Sequence, residues 1–511
     1  MKTRVLALGS FALSLLLPGC PLTDHYQLMS EEAAGADAGM HNRGGAHSGG
    51  GPALQAGSGG TNAGADNAAA GEAGEVSVSG APNGGALDAG GGATVAGGGA
   101  LETGGGASGA SGNTSCVLAC PAKATCCASG CAELSMDPKN CGACGSACNA
   151  GRACASSACQ GGWVPMMAPP PGFVARSRAA VVATGKSVFF WGGQDANGMV
   201  LNNGAIYYPS QDMWKVLPVD PFAPSGRMMA SAVWTGSVVV VFGGTDATGK
   251  AFRDGAVYDP TGNQWTLLPA NSAVSMRSAP FSFWDGTRAV FWGGLGSTGF
   301  GVAKADRFDL TAWSVSSNSG DPGALTYSTI GVDGATMYVL GGFLGSARQD
   351  VMYSYTSSTD AWVNLPKSGL SARSGGFGAW DGSHFVAWGG RDDNALCNDG
   401  SSLSGNKWTA LGKVNAPSAR MIAFRRSGWG FPIAPGVVAM IGGQISLTAS
   451  ATLTTDGAYY NVATSAWTPI PAWPSKEDHE YGMGAWTGEE FVLWGGRDNN
   501  DVTNTGERWA P

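Results

Sequence analysis

The chain has 511 residues, of which 83 are Gly and 18 are Trp, while only 13% are charged. Abundant Gly together with many Trp is typical of tight turns between packed aromatic strands. The formal net charge is −8 and no run rich in Lys and Arg occurs. The basic surface of a nucleic-acid-binding protein is therefore missing, and we expect no nucleic-acid partner.

Residues 1–19 have the pattern of an export signal. Lys2 and Arg4 precede an apolar stretch at residues 5–17, which is too short to span a bilayer. The stretch ends in LPGC at Cys20, which resembles the lipobox of bacterial lipoproteins. The resemblance implies cleavage before Cys20 and lipidation of its sulfur. Because Pro21 follows, it also implies an outer-membrane lipoprotein that faces the periplasm or the cell surface.

Residues 20–115 are predicted to form a disordered tether. Between residues 31 and 114 the chain is mostly Gly, Ala, Ser and Asn, without an aromatic residue. Such a composition buries too little apolar surface to offset the entropy lost on ordering. We expect this segment to link the membrane anchor to the folded parts of the chain.

Residues 116–160 form a Cys-rich module that is too small to build its own hydrophobic core. In an exported protein, an even number of cysteines in so short a span favours disulfides. The pair Cys141 and Cys144 also has the spacing of a zinc knuckle, but no His lies within the module. The disulfide cysteines are predicted to be Cys116, Cys120, Cys126, Cys127, Cys131, Cys141, Cys144, Cys148, Cys154 and Cys159. The module resembles short Cys-rich modules of bacterial surface lipoproteins, which implies a spacer.

Residues 161–511 repeat with a period of roughly 50 residues, which is the length of a propeller blade. In each unit two apolar runs flank a hairpin turn, and a Gly-Gly pair ends the second run. These pairs are Gly192-Gly193, Gly243-Gly244, Gly293-Gly294, Gly341-Gly342, Gly389-Gly390, Gly442-Gly443 and Gly495-Gly496. Four strands per blade are predicted.

A matching series of tryptophans marks the fourth strand of each unit: Trp163, Trp214, Trp265, Trp313, Trp362, Trp408 and Trp467. We expect the Gly-Gly pairs to let a neighbouring strand and an indole approach closely. Trp509 aligns with the third-strand residue Tyr258, so the last unit lacks a fourth strand. The strand around Trp163 is therefore predicted to complete the last blade and to close the ring.

The pattern of AxYD, Gly-Gly and Trp resembles the kelch family and covers the chain from residue 163 to its end. The resemblance implies an all-β fold: a seven-bladed kelch-type β-propeller with four-stranded blades. No cofactor or metal is implied.

One residue in each unit lies where the first strand begins, at one mouth of the predicted channel. In the fourth unit this residue is Leu325, and in the other six units it is Arg176, Arg227, Arg277, Arg373, Arg420 and His479. A ring of guanidinium groups suits carboxylate ligands, which gives a ligand-binding hypothesis. The alternative is structural pairing with acids that follow the Gly-Gly pairs, such as Asp195, Asp246, Asp392 and Asp498.

The leading functional hypothesis is a non-enzymatic cell-envelope protein that binds a protein or glycan through its long-loop face. No catalytic motif of a hydrolase or copper oxidase is present. Periplasmic sialic-acid epimerases are kelch propellers, so an epimerase in which His479 or Glu480 transfers protons is the first alternative. A scaffold component of an envelope assembly is the second. Cys397 is expected to be a buried free thiol, or else half of an intermolecular disulfide.

Overall fold

A computed structural model describes residues 120–317, 319–422, 428–448, 452–475, 477, 479–498 and 501–511. Cys20, Cys116 and the tether lie outside the described residues. All described residues belong to one compact unit. Among them, no helix is long and apolar enough to cross a membrane.

Within the described residues, the repeat region forms seven four-stranded antiparallel sheets, which we number as blades 1–7. The first strand of each blade contacts its counterpart in a neighbouring blade, and blade 7 contacts blade 1. The first strands are Ala180–Ala183, Ser231–Trp234, Phe281–Trp284, Thr329–Asp333, Phe377–Trp380, Gly428–Ala434 and Met483–Trp486. The second strands are Val188–Trp191, Val239–Phe242, Ala289–Trp292, Thr336–Leu340, Phe385–Trp388, Val437–Gly442 and Phe491–Trp494.

The remaining two strands complete each blade towards its outer edge. The third strands are Gly204–Tyr208, Gly255–Asp259, Ala305–Phe308, Met352–Thr356, Gly400–Ser404, Gly457–Asn461 and Gly506–Ala510. The fourth strands are Met213–Val216, Gln264–Leu267, Trp313–Val315, Ala361–Leu365, Lys407–Ala410, Ala466–Ile470 and Gly162–Pro165. Every tryptophan of the series lies in a fourth strand, as the sequence predicts.

Blade 7 is built from both ends of the propeller, as the sequence predicts. Its fourth strand, Gly162–Pro165, pairs antiparallel with the C-terminal strand Gly506–Ala510. Trp163 lies opposite Trp509, just as Trp265 lies opposite Tyr258 in blade 2. This pairing covers an edge that would otherwise be open.

The Gly-Gly pairs join neighbouring blades through the backbone. Both glycines have positive φ, as at Gly192 (71°) and Gly193 (92°). The N–H of Gly193 donates to the carbonyl of Arg227 in the next blade at 2.8 Å, and a Cβ on Gly192 would lie 2.5 Å from the same oxygen. Gly496 makes the equivalent bond to Arg176 at 2.8 Å and so joins blade 7 to blade 1.

The expectation that these pairs admit an indole is corrected by the structure. The glycine that opens the third strand serves that purpose: a Cβ on Gly204 would lie 2.7 Å from the ring of Trp191. Gly400 stands in the same relation to Trp388, at 2.8 Å. The Gly-Gly pairs instead approach the backbone of the next blade.

The Cys-rich module contains two short hairpins, Thr125–Cys127 with Gly130–Ala132 and Cys154–Ala155 with Ala158–Cys159. The predicted disulfides are present: Cys120–Cys131, Cys127–Cys144, Cys141–Cys154 and Cys148–Cys159. Cys126 is also disulfide-bonded. The zinc-knuckle spacing of Cys141 and Cys144 therefore belongs to two separate disulfides.

Candidate binding face

One end of the propeller carries its longest loops, which connect the second strand of each blade to the third. We call this end the long-loop face. The opposite end carries the tight hairpin turns, such as that at Gly185. Three short strands, Leu325–Thr326, Phe343–Leu344 and Ala347–Arg348, form a small sheet above blade 4 on the long-loop face. A further pair, Arg497–Asp498 with Asp501–Val502, lies in the loop of blade 7.

Parts of the connections between blades pack on the outer edges of the sheets. The connection after blade 1 packs on the outer edge of blade 2, where the carboxylate of Asp220 accepts the backbone N–H of Trp265 at 3.0 Å. Likewise, the indole N–H of Trp467 donates to the carbonyl of Gly412 at 2.7 Å. Other parts of the connections do reach the long-loop face, since Leu325–Thr326 lies in the connection between blades 3 and 4.

The five arginines of the predicted ring are buried inside the blades. Arg227 is 1% exposed, and its Nη1 donates to the carbonyls of Gly243 and Asp254 at 2.9 and 3.1 Å. Its Nε donates to the carbonyl of Ser225 at 3.0 Å. The same arrangement recurs at Arg176, Arg277, Arg373 and Arg420. The ligand-binding hypothesis for these five residues is corrected, because their donors satisfy strand-end carbonyls instead of facing the channel mouth.

The acids that pair with these arginines differ from the expected ones. The partners precede or begin the third strand: Asp254, Asp306, Asp399 and Asp456. Asp195 and Asp392 lie in the loops and influence the arginines only through their charge. Burial lowers the pKa of Arg176 to about 9, against the opposing effect of the Asp195 charge. In blade 3, burial raises the pKa of Asp306, although the charge of Arg277 opposes the shift.

His479 takes the place of the arginine in blade 7 and is fully buried. Its Nδ1 lies 2.6 Å from the carbonyl oxygen of Gly495, and its Nε2 lies 3.0 Å from Oε2 of Glu507. Burial lowers the pKa of His479, but Glu507 together with the Gly495 carbonyl and the charge of Glu477 outweighs it, and the net pKa is raised. Both ring nitrogens are engaged, so His479 is also corrected as a ligand-binding or proton-transferring residue.

The side chains at the mouth of the long-loop face come from residues that the sequence analysis did not select. Arg178 stacks on Tyr481 with its guanidinium carbon 4.0 Å from the ring centre, and it donates to Gln194 at 2.9 Å. Arg497 donates to the same Gln194 oxygen at 3.4 Å. Together with Arg391 of blade 5, which also follows a Gly-Gly pair, we call these residues the polar sector.

The opposite side of the same face is apolar. The residues that follow the Gly-Gly pairs of blades 3 and 4 are Leu295 and Phe343, and both are buried. Leu325 occupies the position of the arginine in blade 4. Phe300 and Leu344 protrude from the loops with exposures of 71% and 44%. We call these five residues the apolar sector.

Contacts along the chain bring the loops that carry the two exposed apolar side chains of blades 3 and 4 close together. A Cβ on Gly301, next to Phe300, would lie 2.8 Å from the carbonyl oxygen of Ala324. A Cβ on Gly323 would lie 3.0 Å from Leu344. The loop that carries Phe300 and the loop that carries Leu344 therefore both approach the segment at residues 323–324.

Comparison with known proteins identifies the repeat. Residues 178–322 match the family model described as the KLHDC2/KLHL20/DRC7 Kelch-repeats domain. The ring is a kelch-type β-propeller. Residues 108–161, which precede the propeller, match the family model described as the Stigma-specific STIG1-like protein family.

The kelch propeller is also similar to individual proteins. It is 26% identical to alpha-scruin of Limulus polyphemus over 144 residues, which are 27% of this chain and 15% of the relative. The chain thus spans only a small part of that curated relative. The solved structure titled "Structure of YjhT" aligns with a TM-score of 0.44 and 17% identity, covering 60% of this chain and 99% of the other.

Proposed function

We propose that this kelch propeller binds a protein partner through the apolar sector of its long-loop face. The observation that carries the proposal is the exposure of Phe300 and Leu344 on adjacent loops. Large apolar side chains exposed on neighbouring loops of a rigid scaffold suit the apolar core of a protein interface.

A protein partner fits this surface better than a glycan. Phe300 and Leu344 are large apolar side chains that are exposed to solvent, which favours a protein surface over sugar hydroxyls. Three further apolar side chains, Met199, Ile445 and Leu447, protrude from the loops of blades 1 and 6. The hairpin turns on the opposite face expose polar side chains, such as Lys186 and Ser237.

The test is site-specific photo-crosslinking at residue 300 in intact cells, followed by measurement of the affinity of the captured partner. Phe300→Ser combined with Leu344→Ser is expected to weaken binding about tenfold or more, because the complex would lose two apolar side chains that the partner buries. The control is Met213→Ser, because Met213 is 46% exposed at the opposite end of blade 1. Equal affinity of both variants, or glycan binding that survives the double substitution, would refute a protein site here.

The polar sector supports a second candidate, an enzyme acting on an acidic sugar. Arg178 and Arg497 meet at Gln194, and paired guanidinium groups suit a carboxylate. His479 is enclosed, so proton transfer would fall to Glu480. Accelerated exchange of sialic-acid anomers, followed by NMR, would favour this candidate, whereas an unchanged exchange rate would dismiss it.

We further propose that the protein is an exported lipoprotein anchored at Cys20. The LPGC sequence supports this location, and a disulfide-rich module is typical of proteins in oxidising compartments. Labelled palmitate is expected to enter the chain and to be absent from Cys20→Ser. Equal labelling of both chains would disprove the anchor.

A further inference from the structure

The Cys-rich module reaches the propeller at the seam where blade 7 meets blade 1. We propose that the module is an intramolecular clasp: its disulfides hold a loop, residues 149–152, across the seam and so stabilise ring closure. The proposal extends beyond partner binding, and it assigns to the module a role that a spacer would not have.

A buried carboxylate connects the module to blade 7. Glu490 immediately precedes the second strand of blade 7, and its side chain is 1% exposed. It pairs with Arg152 of the module and with Nη1 of Arg508 at 3.0 Å. The side chains of both arginines are also buried, at 3% and 0% exposure. Removing Arg152 would take away one of the two charge partners of a carboxylate that is shielded from water, which is expected to be destabilising.

Arg508 extends the same cluster to blade 1. It lies in the C-terminal strand that closes the ring, and its Nη1 donates to the carbonyl of Pro209 in blade 1 at 2.8 Å. Its Nη2 donates to the carbonyl of Ala150 in the module at 2.5 Å. The N–H of Ala150 donates in turn to the carbonyl of Ser210 at 3.2 Å. The module, blade 7 and blade 1 are thus joined around one guanidinium group.

Two disulfides fix the loop that makes these contacts. Cys148 and Cys154 flank residues 149–152 and are bonded to Cys159 and Cys141. Arg152 also donates to the carbonyl of Gly162, the first residue of the closing strand, at 3.0 Å. Breaking these disulfides would release the loop, because so small a module has little core of its own.

The redox step involves only the module. A dithiol reductant converts each module disulfide to two thiols and is itself oxidised to a cyclic disulfide. Within the described part of the propeller, Cys397 is a buried free thiol. A reductant that changes the stability of the propeller therefore acts through the module.

The test compares the thermal unfolding of the full chain under oxidising conditions with its unfolding in the presence of a dithiol. Tryptophan fluorescence reports the unfolding in both cases. Reduction is expected to lower the Tm of the propeller by about 4–7 °C, because the buried Glu490 loses one of its two arginine partners. Oxidised Arg152→Met should show a similar decrease, and reduction should then lower its Tm much less. Lys186→Met is the matched control. Lys186 pairs with Glu489, the residue next to Glu490, but its side chain is 76% exposed, so this ion pair is not buried.

Three results would overturn the clasp: an unchanged Tm on reduction, equal Tm values for Arg152→Met and Lys186→Met, or an equal decrease on reduction in wild type and Arg152→Met. If Arg152→Met does not fold, hydrogen exchange of the reduced wild-type chain decides. The clasp requires faster exchange in Gly162–Pro165 and Gly506–Ala510 than in the strands of blades 2–5. A uniform increase, or no increase, contradicts it.

Discussion

Arginine recurs at the start of the first strands because several backbone carbonyls converge there without a partner from a sheet. In blade 2, Arg227 donates to three carbonyls at the ends of separate segments. The guanidinium group has five donors in a fixed planar arrangement, which suits such a site better than an ammonium group. The residue type and spacing could be predicted from the sequence. Its role could not, because exposure depends on how closely the next blade packs.

His479 makes the stability of blade 7 depend on pH. Its folded pKa is raised above the ordinary value of 6.5, so the folded chain binds a proton more tightly than the unfolded chain. The stabilisation is fully present below the unfolded pKa and is lost as pH rises through the higher folded pKa.

We therefore expect His479→Gln to reduce the free energy of unfolding most below about pH 6, with a smaller difference from wild type as the pH rises through the raised folded pKa. Denaturant unfolding at a series of pH values measures this difference. A difference that stays constant over the series, or grows with pH, would show that His479 does not stabilise the fold through protonation.

The strands were predictable because their signals are local. Turn residues with positive φ and apolar runs of strand length lie next to one another in the chain, and they define four strands per blade. The offset between the tryptophan and Gly-Gly series predicted that residues near Trp163 pair with those near Trp509, and the register confirms it.

The contacts between blades were less predictable because they join residues about 30–50 positions apart. Gly193 bonds to Arg227, whereas Gly204 admits Trp191. Sequence spacing alone could not separate these two uses of glycine. The apolar sector was missed for a similar reason. In the sequence, Leu325 and Phe343 are two separate departures from the repeat, and only the pairing of their strands brings them together.

At the scale of the whole molecule, the ring depends on one non-local joint. Most neighbouring strands within blades follow each other in the chain, but blade 7 joins residues 162–165 to residues 506–510. Bringing the two ends together has an entropic cost that only the complete ring offsets. The backbone bond from Gly496 to Arg176 and the cluster at Glu490 lie at the same seam.

Deleting residues 506–511 should therefore open the ring. The strand Phe491–Trp494 would become an exposed, apolar edge, and Gly162–Pro165 would lose its partner, so we expect loss of cooperative unfolding and concentration-dependent association. Thermal unfolding and analytical ultracentrifugation measure the two effects. Deleting Pro511 alone is the control, because this residue is exposed beyond the last strand. If the chain without residues 506–511 is monomeric and unfolds cooperatively, blades 1–6 keep their arrangement without the pairing of residues 162–165 with residues 506–510.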